Sequence, residues 1–424
     1  MDHAMERLNR GELKDGLTRL YGPQRLEEQS KRCAGVLEGF ARSFGYEAAH
    51  LFSAPGRTEL GGNHTDHQRG RVLAGGVDLD ILSAVSPNAS GVVRVQSEGY
   101  ELITVDLSQR TPQPEEVNTS AALIRGVAAR MAELGCPLEG VGFDAYMVSD
   151  VPGGSGLSSS AAFEVLIGTI FNELCWEGKA TPVEIAQIGQ YAENVFFGKP
   201  CGLMDQTACS VGGVVAIDFA DPAHPVVEQI ALDLTKEGYA LCILDSGADH
   251  ADLTDEYAAV TRELKAICGH FGKEVLREVE EAEFLKELPA LRKLAGDRAA
   301  LRAFHIYGEN RRAADEAKAL AEGDFDRFLA LVRDSGRSSA MYLQNIVPAG
   351  QVEHQELMLT IALCEHLLAG RGAVRVHGGG FAGTAQAFVP LDMLEQFKEQ
   401  AEAVLGQGSC HIVTVRPVGG VKLA

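Results

Sequence analysis

Residues 152–162 read Pro-Gly-Gly-Ser-Gly-Leu-Ser-Ser-Ser-Ala-Ala, and no other stretch constrains the fold of this chain as tightly. Upstream, Val141, Phe143, Ala145 and Met147 alternate, which predicts a strand. Downstream, residues 163–174 carry apolar spacing compatible with a helix. The segment therefore reads as strand, glycine loop, helix. Such a loop offers free backbone N–H groups and the positive end of a helix dipole. Gly153, Gly154 and Gly156 let that backbone approach an anion closely. The hydroxyls of Ser158, Ser159 and Ser160 can bond phosphate oxygens or meet a magnesium ion. This pattern suits a cradle for nucleotide phosphates. The alternative is an ordinary glycine turn with a serine helix cap.

Three further clusters carry chemistry. Residues 54–67 read Ala-Pro-Gly-Arg-Thr-Glu-Leu-Gly-Gly-Asn-His-Thr-Asp-His. Asn63, His64 and Asp66 could bond the vicinal hydroxyls of a sugar. Arg57 could stabilise a transferring phosphoryl group. The competing reading is a solvated loop in which Asn and Asp make their own turns. Residues 202–206, Gly-Leu-Met-Asp-Gln, set Asp205 among apolar and small neighbours. A carboxylate there needs a partner, and Arg57 is the candidate. It could orient an acceptor hydroxyl, take its proton, or do both. A helix cap or structural ion pair is the alternative. Glu193 could join Ser160 at magnesium, or simply face solvent on a helix. Residues 376–383, Val-His-Gly-Gly-Gly-Phe-Ala-Gly, formally satisfy a dinucleotide fingerprint. Residues 384–389 then alternate like a strand instead of opening a helix, so that reading fails. The chain has no Walker-type glycine–lysine loop.

The 424 residues suffice for two or three cores, and 46% apolar with 23% charged residues is ordinary for a soluble globular protein. Thirty-eight Lys and Arg against 59 Asp and Glu leave a net charge of −21, which repels nucleic acid and anionic membranes. No apolar run approaches the roughly 18 residues of a membrane span, and residues 1–21 lack the apolar core of a signal peptide. Nine scattered cysteines without a Cys-x-x-Cys pair point to reduced thiols in a cytoplasm. Cys201 and Cys209 are expected to pack rather than react.

The pattern predicts helices over 1–45, with Leu37, Phe40 and Ala41 inward, and antiparallel strands over 70–105. Thr181-Pro182 opens a helix that reaches about residue 197. Residues 213–219 and 239–244 read as buried strands, and 250–369 as mainly helical. A strand, the second glycine loop, a strand, a helix and a last strand close the chain. The class is α+β, divided near 221–236 into domains at 1–230 and 231–424.

The four clusters, in this order, resemble the galactokinases of the GHMP kinase superfamily. Residues 56–66 look like the galactokinase signature and 152–162 like the superfamily ATP loop. Residues 192–194 through 206 resemble the stretch ending in the catalytic aspartate, and 375–383 the third superfamily motif. His305, Glu309 and Asn310 are similar to a helix of the second domain. The resemblance implies a first domain like ribosomal protein S5 domain 2 and a ferredoxin-like, helix-rich second domain. ATP, the co-substrate, would lie along Gly153, Gly154, Ser155, Gly156, Leu157, Ser158, Ser159 and Ser160. Asp205 would be the catalytic aspartate and Arg57 its partner. Ser160 and Glu193 would hold Mg2+. Asn63, His64, Asp66, Asp205, Tyr257 and Gly379 would meet the sugar.

The chain departs from the family pattern at Asn63, where a glutamate is usual, and at His67, where a tyrosine is usual. The glutamate position meets the sugar's C6 hydroxyl, and an asparagine amide can both donate and accept there. Arg69 and Arg71 add nearby positive charge, and the string 66–68 resembles plant galacturonokinases. Residues 335–345 and the first 25 or so residues also depart. The expected activity is transfer of phosphate from ATP to the C1 hydroxyl of galactose. Galacturonate or another galactose derivative is the alternative acceptor. A sensor that binds sugar and ATP without turnover is the alternative class. The partners are these two small molecules, the chain a monomer or weak homodimer.

Overall fold

The computed structural model describes residues 3–153, 156–248 and 253–424. Its strands are β1 (His50–Gly61), β2 (Arg71–Asn88), β3 (Val92–Ser97), β4 (Ile103–Asp106), β5 (Gly142–Ser149), β6 (Val214–Asp218), β7 (Val226–Ile230), β8 (Tyr239–Asp245), β9 (Ala373–His377), β10 (Thr384–Pro390), β11 (Cys410–Val413) and β12 (Val421–Lys422). Two sheets form. The first runs β12-β1-β2-β5-β3-β4, with β6 joined to the first half of β2 and β7 to β6. The second runs β11-β8-β10-β9, all antiparallel.

Alternation along the strands decides the layers. On β5, Phe143, Ala145 and Met147 face the helices Ser120–Glu133 and Ser159–Cys175. Tyr146 faces the other way, onto Leu37 and Phe40 of the helix Leu26–Phe44. The N-terminal helices thus cover the back of the first sheet; Ala41 is only half-buried. On β8, Leu241 and Ile243 join the same core as the first sheet, while Cys242 and Leu244 pack under the helices Glu356–Leu368 and Leu394–Leu405. One apolar core therefore runs across both sheets.

The strands over 70–105 run antiparallel to one another, as the pattern predicts. Two later pairings lie outside that pattern. β3 pairs parallel with β5, because the helix Ser120–Glu133 carries the chain back across the sheet. The chain also does not end in the second sheet, since β12 returns to pair with β1 at Phe52 and Ser53. A two-residue strand carries too little pattern to be read in advance. The Thr181 helix cap forms, with its hydroxyl and Glu184 closing a capping box. That helix, Pro182–Tyr191, continues as a π-helical turn over Ala192–Phe197. Among the described residues no helix is long and apolar enough to cross a membrane.

Candidate active site

β1 is irregular where it matters. Its register against β2 shifts between Pro55 and Arg57 and again between Glu59 and Gly61. Such bulges re-aim side chains. Arg57 turns to Asp205, with Nε 2.7 Å from Oδ1 and Nη2 2.8 Å from Oδ2. Its Nη1 donates to the Gly156 carbonyl, and its backbone N–H donates to the Leu157 carbonyl at 3.0 Å. Asp205 sits in the first turn of the helix Met204–Val211, where the dipole favours a negative charge.

Ser158 flanks the helix Ser159–Cys175 as its cap residue, yet makes no side-chain cap bond. Its hydroxyl donates to Asp205 Oδ2 instead. The simple serine-cap reading therefore fails at Ser158: its φ of 57° aims the hydroxyl at the carboxylate. Burial opposes charge on Asp205, but the Arg57 guanidinium and the Ser158 hydroxyl outweigh it and hold the pKa below the ordinary aspartate value. The Arg57 side chain is 7% exposed and that of Asp205 31%, so the arginine is enclosed while the carboxylate keeps an open side.

Leu157 is buried, Gly153 is exposed, and Ser159 and Ser160 are half-buried in the first turn of the following helix. Gly154 and Ser155 lie outside the described residues. A Cβ on Gly156, whose φ is +72°, would lie 3.0 Å from Thr384 Oγ1 and 3.1 Å from His377 Nδ1. The second sheet thus closes directly on the loop.

A cavity of about 250 Å³ opens beside Asp205. Arg57, Glu59, His64, Asp66, Lys199, Tyr257 and Gly379 are among its lining residues. His64, at φ 62°, bonds the Gly379 carbonyl at 2.9 Å, and burial holds its pKa down at about 4. Tyr257 donates to the Gly380 carbonyl at 2.8 Å, and its ring lies where a Gly379 side chain would be. Asp66 Oδ2 approaches the Cα of Gly202 so closely that a Cβ there would be 2.1 Å away. Larger cavities lie elsewhere; one of about 650 Å³ sits between β6, β7 and the helix Glu281–Ala321 and includes none of the motif residues except Arg71.

Asn63 departs from expectation. It is fully buried and lines the cavity without offering it an amide. Its Nδ2 donates to Glu59 Oε1 at 3.1 Å and the Gly378 carbonyl at 2.7 Å. Its Oδ1 accepts from Asn345 Nδ2 at 2.9 Å and Ser339 Oγ at 3.3 Å. All four hydrogen-bonding capacities of the amide are used inside the protein. Arg69 and Arg71 also turn away, to Glu274 and Glu278 and to Asp218.

Behind Asp205 lies a second acidic group. Glu193 is buried; its Oε2 accepts from Gln206 Nε2 at 2.9 Å, and its Oε1 lies 3.6 Å from Lys199 Nζ. The same Gln206 nitrogen reaches Glu164 Oε2 at 2.9 Å. Burial, with the Glu193 charge second, raises the Glu164 pKa well above the carboxylate range.

Several site residues escape a sequence reading. Glu59, Glu164 and Arg375 are buried ionisable residues that nothing in spacing distinguishes from solvated ones. Arg375 is fully buried against Glu59. Glu309 Oε1 accepts from the Gly62 and Asn63 N–H groups at 3.1 and 3.3 Å and from Ser335 Oγ at 2.6 Å. Burial opposes its charge, but His305, Arg312 and Arg375 bring its pKa to about 2. His305 Nε2 lies 3.0 Å from the Asn63 carbonyl. Glu309 and His305 thus act as supports for the 62–64 turn. The run 335–345 supplies Ser335, Ser339 and Asn345 to the same support.

A glycine-and-serine loop, a clamped aspartate and a sugar-sized cavity on this pair of sheets define a GHMP kinase. The profile for the GHMP kinase N-terminal domain matches residues 122–213, and that for the galactokinase galactose-binding signature matches residues 38–87. The chain is 33% identical over 366 residues to a galactokinase from Actinobacillus pleuropneumoniae, covering 85% of this chain and 90% of that one. It belongs to the galactokinase family. The crystal structure of Lactococcus lactis galactokinase complexed with galactose superposes with a TM-score of 0.76 at 25% identity, over 92% of this chain and 99% of that one. Methanococcus jannaschii mevalonate kinase shares the fold alone, with a TM-score of 0.61 at 12% identity over 86% and 98% of the two chains.

Proposed function

We propose that this chain transfers the γ-phosphoryl group of ATP to the C1 hydroxyl of galactose. The observation that carries this reading is the bidentate Arg57–Asp205 pair, shared between the glycine loop and the sugar-sized cavity. Nucleotide phosphates would lie along residues 153–160 at the helix N-terminus. The sugar would lie against His64, Asp66, Tyr257 and Gly379, with its acceptor hydroxyl at Asp205.

The lowered pKa supports a particular part for Asp205. A carboxylate stabilised in this way is charged at neutral pH and accepts a hydrogen bond well, but it is a weak base. It orients the hydroxyl first and receives the proton as the bond to phosphorus forms. Arg57 fixes the carboxylate and offsets negative charge in the transition state. Positioning supplies most of the rate.

The donor set fits magnesium. Ser160 and Glu193 supply hard oxygens, and Glu164, which shares Gln206 with Glu193, has a buried Oε1 with no hydrogen-bond partner among the described residues. Ser160 and Glu193 would hold the ion, which supplies charge neutralisation on the phosphates.

Galacturonate is the weaker reading. Its carboxylate would meet Glu59, Asp66 and Asp205, while Arg69 and Arg71 are committed elsewhere. We further read 1–230 and 231–424 as the two domains. Nine unpaired thiols suit a reducing cytoplasm, and we read the chain as a monomer or weak homodimer. Coupled ADP-release assays of Asp205→Ala with galactose test the reading, with kcat expected to fall by about a thousandfold or more. Near-normal turnover would defeat the assignment. Sugar and ATP binding with no ADP release from the unaltered protein would favour the sensor.

A further inference from the structure

We infer that Glu59, not Asn63, is the side chain that accepts a hydrogen bond from a sugar hydroxyl at the floor of the cavity and selects the acceptor. The inference rests on the galactose-kinase reading and adds the residue that sets its specificity. Glu59 and Asn63 both border the cavity. The Asn63 amide is saturated by Glu59, Gly378, Ser339 and Asn345. Glu59 is not saturated. Its Oε1 accepts from both Asn63 Nδ2 and Arg375 Nη2, whereas its Oε2 has no hydrogen bond among the described residues. The residue is 3% exposed, so that oxygen meets the cavity and little bulk water.

The surroundings hold the carboxylate in place. Arg375 is fully buried on β9 and pins it from the second sheet, while Asn63 pins it from the loop above. Glu59 also lies between the second bulge of β1 and Arg57, so the strand that aims the arginine aims the carboxylate too. A fixed acceptor in a nearly dry cavity rejects an analogue that lacks the matching hydroxyl, because the acceptor is then left buried and unpaired. It also repels a sugar acid. The acceptor class is therefore a neutral hexose presenting a hydroxyl to Glu59.

The test is kcat/KM for galactose, its 2-, 3-, 4- and 6-deoxy analogues and galacturonate. It is measured on the unaltered protein, Glu59→Gln and Glu59→Asp. The unaltered protein should lose roughly 10- to 100-fold on one deoxy analogue. That penalty should shrink to a few-fold in Glu59→Gln, carried by KM, while the other analogues keep their ratios to galactose. Galacturonate should gain relative to galactose in the same variant. A substitution that merely loosened the fold would lower all sugars alike, and such a uniform loss overturns the inference. If Glu59→Gln does not fold because Arg375 is left unpaired, Glu59→Asp keeps the ion pair but withdraws the oxygen. The same narrowing must then appear there, and its absence is equally fatal. Absence of galactose phosphorylation by the unaltered protein would instead defeat the parent reading.

Discussion

At the scale of single residues, the site depends on one guanidinium serving two masters. Arg57 holds both oxygens of Asp205 and also the carbonyl of Gly156, so it sets the distance between the acceptor end and the phosphate end. A lysine carries the charge without the planar fork and can hold one of these groups at a time. Arg57→Lys is therefore expected to cut kcat by about a hundredfold or more while leaving the KM for galactose within a few-fold, as steady-state kinetics would show. The sequence made this pair legible, because Arg57 and Asp205 each sit in a motif dense with glycine and polar groups. It could not reveal that Asn63 turns inward. An amide reads the same in either direction, and Ser339, Asn345 and Gly378, more than 270 residues away, help to decide which way it faces.

At the scale of elements, close backbone approaches govern how the pieces meet. The helix Leu26–Phe44 lies on β5 through Gly39, where a Cβ would fall 2.3 Å from Tyr146 Cε1. Gly39→Leu should lift this helix from the sheet and cost about 1–3 kcal/mol, read as a lowered Tm with kcat on the surviving folded fraction unchanged. Within the site, Gly379 gives way to the Tyr257 ring, with a would-be Cβ 2.8 Å from Cε1. Gly379→Ala should push the ring into the cavity and raise the KM for galactose several-fold, more than it alters the KM for ATP. Strand and helix periodicities predicted most of these elements. The parallel pairing of β3 with β5 lay beyond them, since a period-2 pattern carries no strand direction.

At the scale of the whole molecule, the two sheets meet across buried charge. Glu309 props the 62–64 turn from the second half of the chain with a pKa of about 2, against about 4.3 when unfolded. A depressed acid stabilises fully above its unfolded pKa. This contribution, of a few kcal/mol, should therefore vanish as pH falls from about 4.3 towards 2, and Glu309→Gln should flatten the acid limb of a Tm–pH curve. Glu316 has the opposite sign. Burial, with Glu309 beside it, raises its pKa well above the carboxylate range, and neither carboxyl oxygen has a hydrogen-bond partner among the described residues. A raised acid binds its proton more tightly when folded, so the native state loses stability as pH climbs above about 4.3. Glu316→Gln should accordingly gain Tm over the unaltered protein as pH rises from 5 to 8, and calorimetry at both values would check it. The amino-acid sequence by itself determined the chemical groups of this site: the glycine-and-serine loop, the acidic residue, its arginine and their order along the chain. Those features are local, because a glycine loop before a helix presents its N–H groups wherever it is placed. Which carboxylates line the cavity, and which are neutralised beneath it, only the tertiary structure decided. Burial and the charges brought in from the second sheet set both, and neither is carried by any short stretch of sequence.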